Sequence, residues 1–183
     1  MSNPPSPNWL PFPISGTDTG DHSKWLGRPM QGADGNTYVI VKAGTGIITG
    51  VNGKGVFTTI SSGTITWTVN VSGTLLSNQV GWVQAGQTAA VSSGTYFMVL
   101  RNGYHSGIYS EATGAIAASG ALYYLASGAV VAMTDTIIGT LSGADFRSGW
   151  ENAVGTALTS ATVLTGGGYV AALVSAKFVG GWG

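Results

Sequence analysis

Apolar and polar residues alternate along much of the chain from about residue 36 onward. The alternation is clearest in residues 64–71, where every second position is large and apolar and the positions between are Thr or Asn. A period of two is that of a β-strand with one buried face. The pattern therefore predicts a half-buried strand with a threonine-rich outer face. Its apolar side is Ile65, Trp67, Val69 and Val71, and its polar side is Thr64, Thr66, Thr68 and Asn70.

Further short apolar runs are separated by residues that favour turns, such as Asp34-Gly35-Asn36 and Asn52-Gly53-Lys54-Gly55. Gly166-Gly167-Gly168 also predicts a hairpin turn, whereas the only helical signal is a short turn starting at Ser142. Many short strands at this spacing are typical of a barrel or a sandwich, so we predict an all-β fold. The further runs are residues 38–41, 56–60, 80–83, 95–100, 122–125, 130–133, 154–158 and 169–174.

All six prolines lie at or before Pro29. Proline cannot donate a backbone hydrogen bond, so residues 1–30 are predicted to form an extended arm. We divide the remainder into a Thr/Gly-rich β region over residues 31–85, which could form a small second domain, and a β-barrel domain over residues 86–183. The arm carries large apolar residues that are costly to leave in water, so it either docks on a neighbour or folds back on its own domain. Trp182, among glycines, is expected to insert into a neighbouring surface. The candidate assembly contacts are Trp9, Leu10, Phe12, Trp25 and Trp182.

Charge is scarce in this chain. Only 8% of residues are charged, against roughly a quarter in an ordinary soluble domain, and the formal net charge is zero. No field attracts nucleic acid or an anionic membrane, and little repulsion opposes self-association. The charge-free stretches, residues 55–100 and 112–134, are interrupted by Gly and Ser, which disfavours a membrane-spanning helix. They are interpreted as surface that faces protein.

Candidate chemistry is sparse as well. Asp18-Thr19-Gly20 matches the triplet of aspartic proteases, but it lies in a polar turn instead of an apolar strand. Asp18, Asp21 and His22 could bind a divalent cation weakly, although Asp-rich loops are usually solvated turns. His105 is the only other histidine, and there is no cysteine. We therefore predict a protein that is not an enzyme and has no catalytic, cofactor or metal site.

One internal similarity is present. Residues 90–103, AVSSGTYFMVLRNG, align without a gap with residues 115–128, AIAASGALYYLASG. Each copy indicates a turn, a strand and a second turn. The similarity predicts two similar barrel strands, arising either by duplication or by convergence.

Three segments of the C-terminal half resemble the small β-barrel capsid cement, or decoration, proteins of tailed bacteriophages. They are residues 115–130 (AIAASGALYYLASGAV), 154–161 (VGTALTSA) and 169–177 (YVAALVSAK), and the resemblance covers residues 86–179. The Pro-rich arm and residues 31–85 are not part of that pattern.

The resemblance implies a virion structural protein that binds the outer surface of an assembled phage head and stabilises it. Its partners would be the major capsid protein and itself, as a homotrimer, with neither nucleic acid nor membrane involved. The alternative is a tail or fibre component that binds carbohydrate through exposed aromatic residues. Trp67 is expected to pack in the core, whereas Trp82 and Trp150 are open candidates for such a role.

Overall fold

A computed structural model describes residues 16–44, 52–62, 64–71, 79–84, 91–110, 116–119, 121–124, 130–132, 153–159 and 168–175. Within these residues the chain forms eleven strands and one short 3-10 turn, Ser23–Trp25, which confirms the all-β prediction. The strands are β1 (Thr17–Asp18), β2 (Pro29–Gln31), β3 (Thr37–Ala43), β4 (Gly55–Ser61), β5 (Thr64–Asn70), β6 (Gln79–Val83), β7 (Tyr96–Ser110), β8 (Ala121–Tyr124), β9 (Val130–Ala132), β10 (Ala153–Ala157) and β11 (Gly168–Ser175).

Each apolar run singled out in the sequence overlaps one of the strands β3 to β11. The largest difference is β7, which continues to Ser110, whereas the run that predicted it ends at residue 100. The short strands β1 and β2 were not predicted. The helical turn predicted after Ser142 and the glycines at 166 and 167 lie outside the described residues.

Five strands close into a barrel. β3 pairs in parallel with β5, β5 pairs with β4, β4 with β6, β6 with β7, and β7 returns to β3. Only the first part of β7, Tyr96 to Asn102, takes part in the pairing with β3. Closure matters because it leaves these strands without a free edge over the paired residues.

The second part of β7 belongs to another ring of strands. It pairs with β11 over Asn102 to Ser110, β11 pairs with β10, β10 with β8, and β8 with β9. β9 returns to β7 through one parallel pair, Ser110 with Val130. We call this set the second ring.

The barrel and the second ring have the same strand order. If the five strands of each unit are numbered in chain order, the first strand pairs in parallel with the third. The antiparallel pairs are the third strand with the second, the second with the fourth, the fourth with the fifth, and the fifth with the first. β7 is the fifth strand of the barrel and the first strand of the ring. The long strand therefore joins two topologically equivalent units into one continuous sheet.

The internal similarity is visible in local conformation. Val91 and Ile116 are both buried bridge residues, and each is followed by a turn and a strand. Gly94 and Ser119, which occupy the same position in the two copies, both have positive φ, at 84° and 66°. The first copy leads into the fifth strand of the barrel and the second into the second strand of the ring, so the similarity does not follow the repeated strand order.

Both faces of β3, β6 and the first part of β7 are buried, which explains the uninterrupted apolar runs of β3 and β7. Alternate residues such as Val39, Val41 and Phe97 belong to a valine-rich core cluster. The residues between them, including Ile40 and Met98, belong to a larger cluster that also contains residues of the second ring. The members contributed by the second ring are Ile108, Leu122, Ala157, Val170, Ala172 and Val174.

The N-terminal residues that the structure describes are attached to the barrel. β1 pairs with β7 at Phe97 and Tyr96, and β2 pairs with β3. Trp25, Leu26 and Met30 pack against the larger core cluster. Residues 17–31 thus contribute strand pairing and apolar contacts to the folded unit.

Candidate assembly surface

The described residues include five large hydrophobic side chains that are clearly exposed, and four of them lie together on the second ring. Tyr104 is on β7, Tyr169 and Leu173 are on β11, and Leu158 follows β10. Their exposed fractions are 48%, 53%, 50% and 44%. We call these four residues the tyrosine–leucine face. The fifth exposed residue, Ile60, lies on β4.

Strand register places the members of this face side by side. Leu173 is paired with Tyr104, and Thr156 of β10 is paired with Leu173 from the other side. The backbone N–H of Leu158 donates to the carbonyl oxygen of Ala171 at 2.7 Å, which places Leu158 beside β11 as well. Alternation along β11 sends the residues between, such as Val170 and Ala172, into the core.

An aromatic pair extends this surface along β7 and β11. Tyr169 is paired with Tyr109, and their ring centroids lie 5.6 Å apart with an interplanar angle of 64°. The ammonium group of Lys54 lies 4.8 Å from the centroid of the Tyr109 ring. Edge-to-face rings and a cation over a ring are favourable contacts that hold these side chains in place.

Charge is unevenly distributed over the fold. Every Lys, Arg, Asp and Glu that the structure describes lies at or before Arg101. The described residues of the second ring beyond that point therefore contain none of these four residue types. The four members of the tyrosine–leucine face carry no charge themselves, and large exposed apolar side chains of this kind favour association with another protein.

His105 lies directly beneath the tyrosine–leucine face, next to Tyr104, and is 2% exposed. The backbone N–H of Gly107 donates to its Nδ1 at 3.1 Å, so Nε2 carries the proton and donates to the carbonyl oxygen of Val83 at 2.8 Å. Burial lowers the pKa of His105, and the hydrogen bond to Val83 opposes this shift in part. The neutral imidazole links the second ring to β6 of the barrel.

Because of His105, we expect the folded protein to lose stability in mild acid. Because burial lowers the pKa of His105 in the folded state, the unfolded chain binds the proton first, and the free energy of unfolding falls as pH decreases below about 6.5. We expect urea unfolding at about pH 5 to give a lower free energy than at about pH 7.5. Replacing His105 with Asn should remove most of this difference, since an amide does not titrate. An equal pH dependence in both proteins would contradict the prediction.

The acidic residues near the N-terminus form local turns. Asp18 accepts a hydrogen bond from the Gly20 N–H at 2.6 Å, and Asp21 accepts one from the Ser23 N–H at 2.9 Å. These backbone bonds lower the pKa of both carboxyl groups. His22 Nε2 lies 3.4 Å from Asp18 Oδ2. Among the described residues, no group of three His, Cys, Asp or Glu side chains is arranged to hold a metal ion.

Of the assembly contacts predicted from the sequence, Trp9, Leu10, Phe12 and Trp182 lie outside the described residues. Trp25 is half-buried against its own core, and Lys24 and Arg28 lie 5.6 and 5.8 Å from its ring centroid.

The tryptophans considered for sugar stacking differ in burial. Trp67 is half-buried against the valine-rich cluster, as its alternation predicts, and Trp82 is fully buried, so neither presents an open ring. Trp150 lies outside the described residues.

Sequence reasoning missed the tyrosine–leucine face, although a signal for it exists. In residues 169–174, Tyr169, Ala171 and Leu173 alternate with Val170, Ala172 and Val174, so both sides of the strand are apolar. A strand apolar on both sides needs cover on both sides. In β11 the valine side faces the core and the other side is the exposed surface.

Comparison of the chain with models of protein families, with curated proteins and with solved structures gives no significant match. Helices long and apolar enough to cross a membrane are absent from the described part of the chain.

Proposed function

We propose that this chain is a capsid decoration protein, a virion component that binds the outer surface of a tailed-phage head and stabilises it. The observation that carries the proposal is the exposed tyrosine–leucine face, whose four members are large, apolar and uncharged. The major capsid protein and further copies of the chain, as a homotrimer, are the proposed partners. No catalytic step is required, because such a protein acts by occupying and bridging neighbouring positions on the shell.

The sequence resemblance points to the same part of the molecule. Of the three segments that resemble capsid cement proteins, the first contains β8, and the other two contain most of β10 and most of β11. These strands belong to the second ring, and two of them border or carry the tyrosine–leucine face. The resemblance and the exposed surface therefore support the proposal through the same strands.

Repetition explains how modest contacts would suffice. Each contact gains about 25 cal/mol per Å² of buried apolar area, from which the cost of association is subtracted. A trimer that engages several sites at once converts the later contacts into intramolecular ones, which multiplies the overall affinity. The Pro-rich arm would extend the reach of each copy along the shell.

The arm provides a test of the proposal. We expect the combined replacement of Trp9, Leu10 and Phe12 with Ser to lower occupancy on emptied phage heads at least about tenfold, since these anchors supply apolar burial. Occupancy would be measured by cryo-electron microscopy of heads incubated with purified protein. Residues 17–31 are left intact because they pair with β3 and β7.

The matched control replaces Ser6 and Asn8, polar residues of the same arm, with Ala and should leave occupancy unchanged. Equal occupancy for the anchor variant and the wild-type protein would refute the role of the arm. Absence of any binding of the wild-type protein to heads would refute the decoration function itself.

One observation favours a second function, that of a carbohydrate-binding tail or fibre component. Tyr104 and Tyr169 are exposed on adjacent strands, and exposed aromatic rings can stack on sugars. Glycan-array binding that is lost when Tyr169 is replaced with Ala would support this alternative. A protein that binds heads but no glycan would exclude it.

A further inference from the structure

We propose that β7 contains an acid-sensitive hinge, at which the second ring opens from the barrel when His105 becomes protonated. The hinge consists of His105, Ser106 and Gly107 on β7 and of Val83 at the end of β6. The proposal concerns the folded chain itself, so it goes beyond the decoration function and does not depend on it.

The pairing of β7 with β11 is irregular at the hinge. The residues of β7 that pair with Val170 and Ala172 have two residues between them, whereas β11 has one. The two are Ser106 and Gly107. An extra residue of this kind is a β-bulge, which disrupts the ladder of hydrogen bonds and bends the strand. The backbone N–H of Gly107, inside the bulge, donates to Nδ1 of His105 at 3.1 Å. A side chain thus supplies an acceptor where the ladder is disrupted.

The other ring nitrogen of His105 joins the bulge to the barrel. Nε2 donates to the carbonyl oxygen of Val83 at 2.8 Å, and the Gly53 N–H donates to the same oxygen at 3.2 Å. The imidazole is buried, so these two hydrogen bonds hold it in a position closed to water. Both nitrogens are therefore engaged, one within the bulge and the other with β6.

A proton on Nδ1 is incompatible with this arrangement. The neutral ring accepts at Nδ1, whereas a protonated imidazole has an N–H at both nitrogens. Nδ1 would then present a hydrogen atom to the Gly107 N–H, and the new charge would be buried. Burial lowers the pKa of His105, so an opened form that exposes the ring binds the proton first. The population of the opened form therefore rises as pH falls.

His105 is the group expected to change charge at the hinge in mild acid. Tyrosine, lysine and arginine ordinarily titrate at about pH 10 or above. Asp34 lies in the turn whose Asn36 contacts Tyr104. Burial opposes the shift, but hydrogen bonds from Tyr38 and Asn36 lower the pKa of Asp34, so this carboxylate stays charged at about pH 5. The elements packed against the hinge are β6, β9, β11 and residues 52–54. Besides His105, the titratable or charged residues that the structure describes on them, and on β7 from residue 101 onward, are Lys54, Arg101, Tyr104, Tyr109 and Tyr169.

The barrel can remain closed when the hinge opens. Its valine-rich cluster draws its described members from residues at or before Val99, and the pairing of β3 with β7 ends at Asn102. Loss of the pairing between β7 and β11 beyond Asn102 leaves that cluster and those pairs in place. Proteins commonly open in part at a lower free energy than that of global unfolding.

Native-state hydrogen exchange of the full-length protein tests the proposal, at about pH 5 and about pH 7.5 in low concentrations of urea, with correction for intrinsic exchange rates. Amides of β11 report opening of the second ring, and amides of β3 report global unfolding. At pH 5 the β11 amides should show a larger opening equilibrium, with a smaller dependence on urea, than the β3 amides. Between the two pH values the ring-opening equilibrium should rise about 10- to 30-fold towards acid, since an exposed imidazole titrates at about pH 6.5.

Two variants assign the effect to the hinge. His105→Asn should abolish the acid-induced rise in ring opening, because an amide does not titrate, while its oxygen can still accept from the Gly107 N–H. His22→Asn is the matched control. It removes the other histidine of the chain, which lies outside the hinge, and should leave the rise unchanged.

Two outcomes would overturn the proposal. Equal opening equilibria and equal urea dependences for β11 and β3 at about pH 5 would mean that the fold opens only as a whole. An unchanged rise in His105→Asn would mean that another group is responsible. The comparison of the two strands uses the wild-type protein, so it decides the matter even if His105→Asn does not fold.

Discussion

Replacing Gly53 with Ala is expected to lower the free energy of unfolding by about 4 kcal/mol. Gly53 has φ of 69°, a conformation that costs an L-residue roughly 1–2 kcal/mol. A Cβ at this position would lie 2.2 Å from the carbonyl oxygen of Gly107 and 2.9 Å from the backbone nitrogen of Tyr109. Both are backbone atoms of β7, so relief of the clash requires a strand to move.

The hydrogen bonds of Gly53 oppose such a movement. Its N–H donates to the carbonyl oxygen of Val83 at 3.2 Å, and its carbonyl oxygen accepts from the Tyr109 N–H at 2.9 Å. Gly53 thus ties β6 of the barrel to the part of β7 that belongs to the second ring. Moving it breaks bonds on both sides, each worth about 1 kcal/mol.

Gly35 is the matched control for this experiment. It also has positive φ, 80°, but a Cβ there would meet no atom within 4 Å. Gly35→Ala should therefore cost only about 1 kcal/mol, which isolates the conformational term from the clash. Urea unfolding of both variants measures the difference. Equal losses would show that β7 accommodates the methyl group freely.

The predictable part of the fold is the part that local pattern determines. Alternation identifies a half-buried strand such as β5, and short apolar runs bounded by Gly identify strands buried on both faces, such as β3. The continuation of β7 past Arg101 could not be predicted in this way. Its residues Arg101-Asn102-Gly103 have turn-forming composition, and Gly103 has φ of 127°.

Strand pairing is the part that the pattern leaves undetermined. The paired residues of β3 and β7 are separated by more than fifty residues in the sequence, and those of β7 and β11 by a comparable number. Such pairings depend on which register buries the most apolar surface, a property of the whole fold. The shared strand and the repeated strand order therefore appear only in three dimensions. The prediction that the charge-free stretches, residues 55–100 and 112–134, face protein depends on composition alone and stays a prediction.

The tyrosine–leucine face illustrates the same division. Tyr169 and Leu173 are four residues apart on one strand, so a period of two places them on the same side, and this follows from the sequence alone. Tyr104 and Leu158 join them only because β7 and β10 flank β11. A surface assembled from three strands that are distant in sequence has no linear motif.

The second large effect on stability is expected at Asn36, whose side chain contacts β7 where this strand leaves the barrel. Its side-chain oxygen accepts from the Tyr104 N–H at 2.8 Å, and its Nδ2 donates to the Tyr104 carbonyl oxygen at 3.1 Å. The side-chain amide thus forms two hydrogen bonds with the backbone of β7, as a further residue of β3 would do beyond the last backbone pair, Thr37 with Asn102. Gly103 leaves the space for it, since a Cβ there would lie 2.1 Å from Asn36 Oδ1.

Further contacts fix the Asn36 amide in this orientation. Its Nδ2 also lies 2.9 Å from Asp34 Oδ2 and 3.2 Å from the Tyr38 hydroxyl, which itself donates to Asp34 at 2.5 Å. Burial and the bond to Asp34 raise the pKa of Tyr38 to about 12, so its hydroxyl remains a donor at neutral pH. The residues of one turn thereby hold the backbone of Tyr104, a member of the tyrosine–leucine face.

Replacing Asn36 with Ala is therefore expected to lower the free energy of unfolding by about 3 kcal/mol, because two backbone groups of Tyr104 lose their partner in a part-buried position. Hydrogen exchange at the Tyr104 amide should accelerate more than at Val99 in the barrel. Asn102→Ala, an equivalent change at an exposed position two residues before Tyr104, should alter stability by no more than about 0.5 kcal/mol. Equal losses in the two variants, with unchanged exchange at Tyr104, would show that the side chain of Asn36 does not extend the ladder.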